Sequence, residues 1–215
     1  MRLFDDCGRI LVLGAHTDDE TLGCGGTISK FIRKGYEVHV VIFSDCKDSL
    51  PDDMNKSTLR DEFFAAAKSL GVEMDRCIVL DYKVREFGYF RQSILEDLIR
   101  IKKEVKPGIV ITHSTKDIHQ DHKVISEESL RAFKGISILG YDLPWNCLNL
   151  EPTAFVELDE VDISCKIQAL NMYQSQITLK RSYFSESYMR SIAVFRGVQN
   201  GGSLAEAYEV YRMCF

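Results

Sequence analysis

Ile10-Leu11-Val12-Leu13-Gly14-Ala15-His16-Thr17-Asp18-Asp19-Glu20-Thr21-Leu22-Gly23-Cys24-Gly25-Gly26 decides how this chain is read. The apolar run Ile10–Leu13 has the length and continuity of a strand covered on both faces, as strands of parallel sheets are. The segment from Glu20 onward reads as a helix. His16, Asp18 and Asp19 therefore sit at one strand-to-helix turn. In open α/β folds the carboxyl ends of the strands are where ligands bind.

The same alternation repeats along the chain. Strand-like runs are Arg9–Ala15, Glu37–Ser44, Cys77–Leu80, Gly108–His113, Ile136–Gly140 and Ala154–Leu158. Amphipathic stretches fall between them at Glu20–Lys34, Lys56–Leu70, Arg91–Lys106, Asp121–Lys134, Asp159–Gln174 and Glu186–Phe195. Gly35 and Gly71 follow helical stretches as C-terminal caps do, and Pro107 ends another. The pattern predicts an α/β fold: one Rossmann-like domain over residues 1–215, with a mostly parallel sheet and helices on both faces. Asp45–Asn55, Asp81–Tyr89 and Tyr141–Thr153 lack periodicity. Loops at strand ends build the pockets of such folds, so these three are candidate substrate walls.

Composition narrows the function. The 215 residues are 45% hydrophobic and 27% charged, ordinary for a soluble domain. Lys plus Arg is 27 against 32 Asp plus Glu, a net charge of −5 with no basic cluster, which argues against a nucleic-acid surface. No apolar stretch approaches the ~18 residues of a membrane span. Met1–Asp6 carries acids where a secretory leader would carry basic residues. The seven cysteines are odd in number and contain no C-x-x-C pair, so reduced thiols in a cytoplasmic enzyme are the plain reading. Cys24 reads as a small residue on a tightly packed helix face. The spacing of Gly23–Gly26 does not fit a dinucleotide-binding G-x-G-x-x-G.

Thr17-x-x-Glu20 matches a capping box, in which the hydroxyl accepts a first-turn amide and the Glu reaches back. Helix initiation then accounts for Thr17 and Glu20, and it leaves His16 unexplained. Consecutive side chains leaving a turn point in different directions, so one Asp can bind a metal while its neighbour addresses the bound water. A second cluster, His119-Gln120-Asp121-His122, follows the strand ending at His113. Three of the five histidines lie between positions 113 and 122. Two His and a carboxylate form a ligand set that leaves a coordination position open for water, and together the clusters point to metal-assisted hydrolysis. His39, inside a strand, reads as structural. His113 ends its strand toward the site, as a substrate contact or a structural residue. Arg60 is a candidate contact for a hydroxyl or an anion, and Trp145 for a sugar face.

These motifs resemble the LmbE/PIG-L family of zinc-dependent N-acetylglucosaminyl deacetylases, whose signature is A-H-P-D-D-E, a Gly-rich helix start and a later H-x-D-H. Thr17 replaces the usual Pro. Arg60-Asp61-Glu62, Tyr173-x-Ser175-Gln176 and Ala205-Glu206-Ala207-Tyr208 are similar to weaker family features. The resemblance implies an LmbE-like fold, with zinc held by His16, Asp19 and His122 (Fe2+ being the other candidate ion). It further implies Asp18 as general base, His119 as oxyanion donor or proton donor to the amine, and Asp121 orienting a histidine. The implied reaction removes an N-acetyl group from an amino-sugar in a small molecule or glycan precursor. A zinc amidase acting on a non-sugar amide, or an inactive metal- or sugar-binding relative, are the alternatives. A homo-oligomer is compatible with the sequence.

Overall fold

The computed structural model describes residues 8–214; the acids of Met1–Asp6 and Cys7 lie outside them. In chain order the main elements are β1 (Arg9–Gly14), α1 (Asp19–Arg33), β2 (Glu37–Ile42), α2 (Thr58–Leu70), β3 (Cys77–Val79), α3 (Arg91–Val105) and β4 (Ile109–His113). They continue with α4 (Gln120–Ala132), β5 (Ser137–Tyr141), β6 (Ala154–Glu157), α5 (Glu160–Leu170), α6 (Gln174–Thr178), α7 (Glu186–Gln199) and β7 (Ala205–Arg212).

The strands form one seven-stranded sheet in the order β3-β2-β1-β4-β5-β7-β6. β3 through β5 pair in parallel, whereas β7 runs antiparallel between β5 and β6. β1 explains the continuous apolar reading: Ile10 and Val12 enter the core under α1, α2, α5 and α7, while Leu11 and Leu13 enter the core under α3 and α4. Both faces of the strand are dry, so no alternation survives in its sequence.

Strand order reverses between β1 and β4, which are direct neighbours. Chain leaving β1 turns one way and chain leaving β4 the other, opening a crevice at their carboxyl ends. The two polar clusters stand on its two sides, about a hundred residues apart in sequence.

β7 is absent from the strands expected of the sequence, and its packing explains why. Glu206 and Glu209 are buried acids with distant partners. Glu206 reaches into α1, where Cys24 has non-helical angles (φ −144°, ψ 23°) and the helix in effect starts again. Its two oxygens accept the Gly26 and Thr27 amides at 3.0 and 2.7 Å, and Lys166 Nζ donates to it at 2.7 Å. A carboxylate supplied from β7 thus caps a helix restart, where amides lack helical acceptors. The glycines beside the break allow this approach: a Cβ on Gly26 would lie 2.6 Å from Leu158, and one on Gly23 only 2.2 Å from the Tyr141 ring.

Two further expectations are corrected. The helix expected over Asp159–Gln174 ends at Leu170, and α6 begins at Gln174. No capping box forms at Thr17. The first helical bond is Leu22 N–H to the Asp18 carbonyl, one residue later than a Thr17 cap requires, and the Thr17 carbonyl accepts from Tyr173 Oη. Glu20 points into the core, accepts from Thr21 Oγ1 at 2.6 Å, and is pushed by burial well above the usual carboxyl range. Asp19 makes the backward reach instead, accepting the His16 N–H at 2.7 Å.

Among the described residues the cysteines are free thiols. No helix there is long and apolar enough to cross a membrane.

Candidate active site

His16, on the turn after β1, sends Nδ1 toward His122 Nε2 (3.0 Å) and Asp19 Oδ2 (3.3 Å). His122 Nε2 is 3.3 Å from the same Asp19 oxygen. Two imidazole nitrogens and one carboxylate oxygen therefore converge in a triangle with edges of 3.0–3.3 Å.

The outer nitrogens decide the tautomers. His16 Nε2 faces Asp121 Oδ2 at 3.1 Å, and His122 Nδ1 faces Asp117 Oδ2 at 2.8 Å. Each ring can donate its outer N–H to a buried carboxylate, which leaves the inner nitrogen as the one that turns a lone pair inward once its own proton is lost. This is the carboxylate–histidine arrangement that orients metal ligands. Three converging acceptors suit a cation: four-coordinate bonds of about 2.0–2.1 Å require ligand-to-ligand edges of about 3.3–3.4 Å. The donor set fits a divalent metal.

Two other histidines are close enough to be weighed as ligands. His113 accepts the Ala15 N–H on Nε2 at 2.9 Å and meets Tyr141 Oη at 3.0 Å, so that lone pair is engaged. It is fully buried and stacks on His122 with ring centroids 4.0 Å apart. Burial first, and the charge of His122 next, lower it to about 4, so it is a neutral spacer. His113 has no accessible surface in this structure, and its contacts are with Ala15, Tyr141 and His122. His119 accepts the Asp121 amide on Nδ1 at 3.2 Å, acting as N-cap of α4. Its remaining nitrogen, Nε2, must then carry the proton. Burial, then His122 and His16, lower His119 to about 4 as well.

The acids divide sharply. Burial opposes charge on both, yet the three histidines hold Asp19 well below its ordinary range, whereas burial and the Asp19 charge lift Asp18 to about 6. Adjacent carboxyls thus take different states, one fixed as an anion and one poised near neutrality. Against the cost of burial, Asp19 and Asp121 raise His16 to about 8, and Asp19 and Asp117 raise His122 to about 10.

The cluster floors a cleft of about 510 Å³, within the ~300–1,000 Å³ range of small-molecule sites. His16, Asp18, Asp19, His119 and His122 all line it. The three aperiodic loops supply walls: Leu50 and Met54 from the first, Val84 and Arg85 from the second, Trp145 and Asn146 from the third. Trp145 lines the cleft and stacks on Tyr183 (4.1 Å, 10°). Arg60 stays off it. Leu59 faces the cleft, and one residue farther along α2 the side chain turns about 100° away, leaving Arg60 exposed over Phe64.

Four contributors went unnoticed in the sequence. Asp117 is buried, and accepts the His119 amide at 2.8 Å as well as the His122 ring. Its signal was an acid two residues before a histidine in a His-rich loop. Arg85, at φ +67°, donates its amide to Asp121 at 2.6 Å. Arg181 and Tyr183 form a fourth wall after α6.

Residues 11–133 match the family model described as PIG-L, GlcNAc-PI de-N-acetylase. The uncharacterized deacetylase YaiS of Escherichia coli is 30% identical over 172 residues, 77% of this chain and 90% of its own length. Diacetylchitobiose deacetylase of Thermococcus kodakarensis is 28% identical over 226 residues, 94% of this chain and 83% of its own. The solved structure of the 4-carboxy-2-hydroxymuconate hydratase from Pseudomonas putida superimposes with a TM-score of 0.77, at 23% identity over 95% of this chain and 96% of that one. The last likeness is one of fold alone.

Proposed function

This chain belongs to the PIG-L family of de-N-acetylases, and from that premise we propose that it is a zinc-dependent hydrolase removing an N-acetyl group from an amino-sugar-containing small molecule or glycan precursor. The observation that carries the reading is the triangle of His16 Nδ1, Asp19 Oδ2 and His122 Nε2, with a carboxylate behind each histidine. A relative whose name gives diacetylchitobiose as its substrate supports the sugar.

His16, Asp19 and His122 would hold the ion, zinc in the first instance and Fe2+ as the other candidate. A bound zinc ion polarises an amide carbonyl and brings the pKa of water at the site to about 7. Asp18, lifted to about 6, is mostly ionised at neutral pH and takes a proton from the attacking water. His119, with Nδ1 committed to the Asp121 amide, presents Nε2–H to the developing oxyanion. Acting as an acid would cost His119 that backbone bond. Asp18 is therefore the group that returns the proton to the departing nitrogen as the C–N bond breaks.

Acetate release from N-acetylglucosamine-containing compounds by the zinc-loaded protein tests the reading. Asp18→Asn is expected to retain metal and lower kcat about 10²–10⁴-fold; near-normal kcat in that variant rejects Asp18 as the base. Because the same fold also serves a hydratase, acetate is the deciding readout. A zinc-loaded protein that releases none from any amino-sugar favours a non-sugar amide.

A further inference from the structure

Most arginines of this chain are neutralised by its own acids: Arg33 by Asp159 and Asp162, Arg91 by Glu127 and Glu128, Arg196 by Asp142. Arg85 and Arg181 are different. Both line the cleft, and among the described residues no carboxylate lies within salt-bridge distance of either, although the charge of Arg181 reaches Asp18. Arg181 donates to Tyr183 Oη at 2.5 Å and sits 5.9 Å from that ring's centroid. Among the described residues the Arg85 side chain has no partner, although a chain of net charge −5 has acids to spare. Asp53 also lines the cleft and is paired to neither.

The position of Arg85 is built. Its backbone takes the left-handed φ of +67°, and its amide is held at 2.6 Å by the same Asp121 oxygen that faces His16. One carboxylate thus anchors both a candidate ligand and the backbone of an arginine that lines the cleft. Few non-glycine residues take this conformation, and here the bond to Asp121 holds it. A guanidinium with no internal partner matches the two-oxygen edge of a phosphate or carboxylate. In the same cleft, the stacked Trp145–Tyr183 pair offers the apolar surface that a sugar ring needs.

We propose that the substrate carries an anionic oxoacid group, phosphate or carboxylate, outside its N-acylated sugar ring, and that Arg85 and Arg181 bind that group while the acyl group meets the His–Asp cluster. The proposal rests on the deacetylase reading above. Acetate release is measured with N-acetylglucosamine, N-acetylglucosamine 1-phosphate and N-acetylmuramic acid, a neutral, a phosphate-bearing and a carboxylate-bearing probe. The zinc-loaded enzyme is expected to show at least about a tenfold higher kcat/KM for one anionic probe, mainly through KM, and that probe identifies the anion. In Arg85→Asn/Arg181→Gln, where Asn tolerates the left-handed backbone, the anionic-to-neutral ratio should fall at least about tenfold. A wild-type preference for the neutral sugar, or a ratio within about twofold of wild type in the double variant, overturns the proposal. If no probe releases acetate, the deacetylase reading fails by itself. Calorimetric titration with glucosamine 1-phosphate against glucosamine then decides the anion site, and equal affinities reject it.

Discussion

Replacing Asp117 by Asn exchanges one carboxylate oxygen for an NH2 group and should loosen the metal site from behind. The Asp117 carboxylate accepts at both ends, from the His122 ring at 2.8 Å and from the His119 amide at 2.8 Å. A carboxamide accepts at one end and donates at the other. Whichever way it turns, one buried donor then faces another donor. If the amide nitrogen faces His122, the imidazole must move its proton to Nε2, the atom 3.0 Å from His16 Nδ1 and 3.3 Å from Asp19. That nitrogen is then no longer a ligand. Loss of such an outer partner typically costs about 10–100-fold in metal affinity, equivalent to about 1.4–2.7 kcal/mol. The unmatched donor adds about 1–3 kcal/mol of destabilisation in the metal-free protein. Competition for zinc against a fluorescent chelator reads the first quantity, and thermal unfolding in excess EDTA reads the second. With zinc far above Kd, the stabilisation that zinc adds should shrink by the same ~1.4–2.7 kcal/mol. A zinc affinity within about twofold of wild type would refute the idea that Asp117 fixes His122.

Adding zinc to the metal-free protein at pH 7 should release at least about one proton, because His16 is held at about 8 and His122 at about 10 while ligation requires neutral rings. Zinc affinity should accordingly rise with pH as that competing proton is lost; calorimetry in two buffers of different ionisation enthalpy counts the protons, and none released would contradict the charged pairs. Gly23→Ala drives a methyl to 2.2 Å from the Tyr141 ring, whose hydroxyl is tied to Leu13 and His113, so a loss of about 1–3 kcal/mol is expected. At about 2–4 °C per kcal/mol for a chain of this size, an unchanged Tm would mean that the ring has room to yield. Lys166→Met strands the buried Glu206 and should cost about 3–5 kcal/mol in urea unfolding. Adding Glu206→Gln should return part of that loss, and strict additivity would deny the coupling.

What could be read in the sequence was whatever depends on near neighbours. The dry run Ile10–Leu13, the turn His16–Asp19 and the His119–His122 segment announce themselves because strand, turn and helix are local. The three wall loops were legible through their missing periodicity. β7 was not, since Glu206 and Glu209 look like surface acids until their partners, 180 and 95 residues away, are known. The Thr17–Glu20 match failed for a related reason. The motif is local, but Asp19 answers both to His16 and to His122 across the crevice, and that double commitment shifts the helix start to Asp18. Asp117, Arg85 and Arg181 lie in irregular segments, where no period says which way a side chain points.

The break in α1 at Cys24 gives this protein an order of assembly. The amides of Gly26 and Thr27 must wait for Glu206, and until it arrives the second half of α1 begins without a cap. Glu206 stands 180 residues from Gly26, so the second half of the helix is finished by a long-range contact and not by its own sequence. Segments that depend on near neighbours, such as β1 and the turn after it, can form first, and completion of α1 is coupled to the docking of one strand.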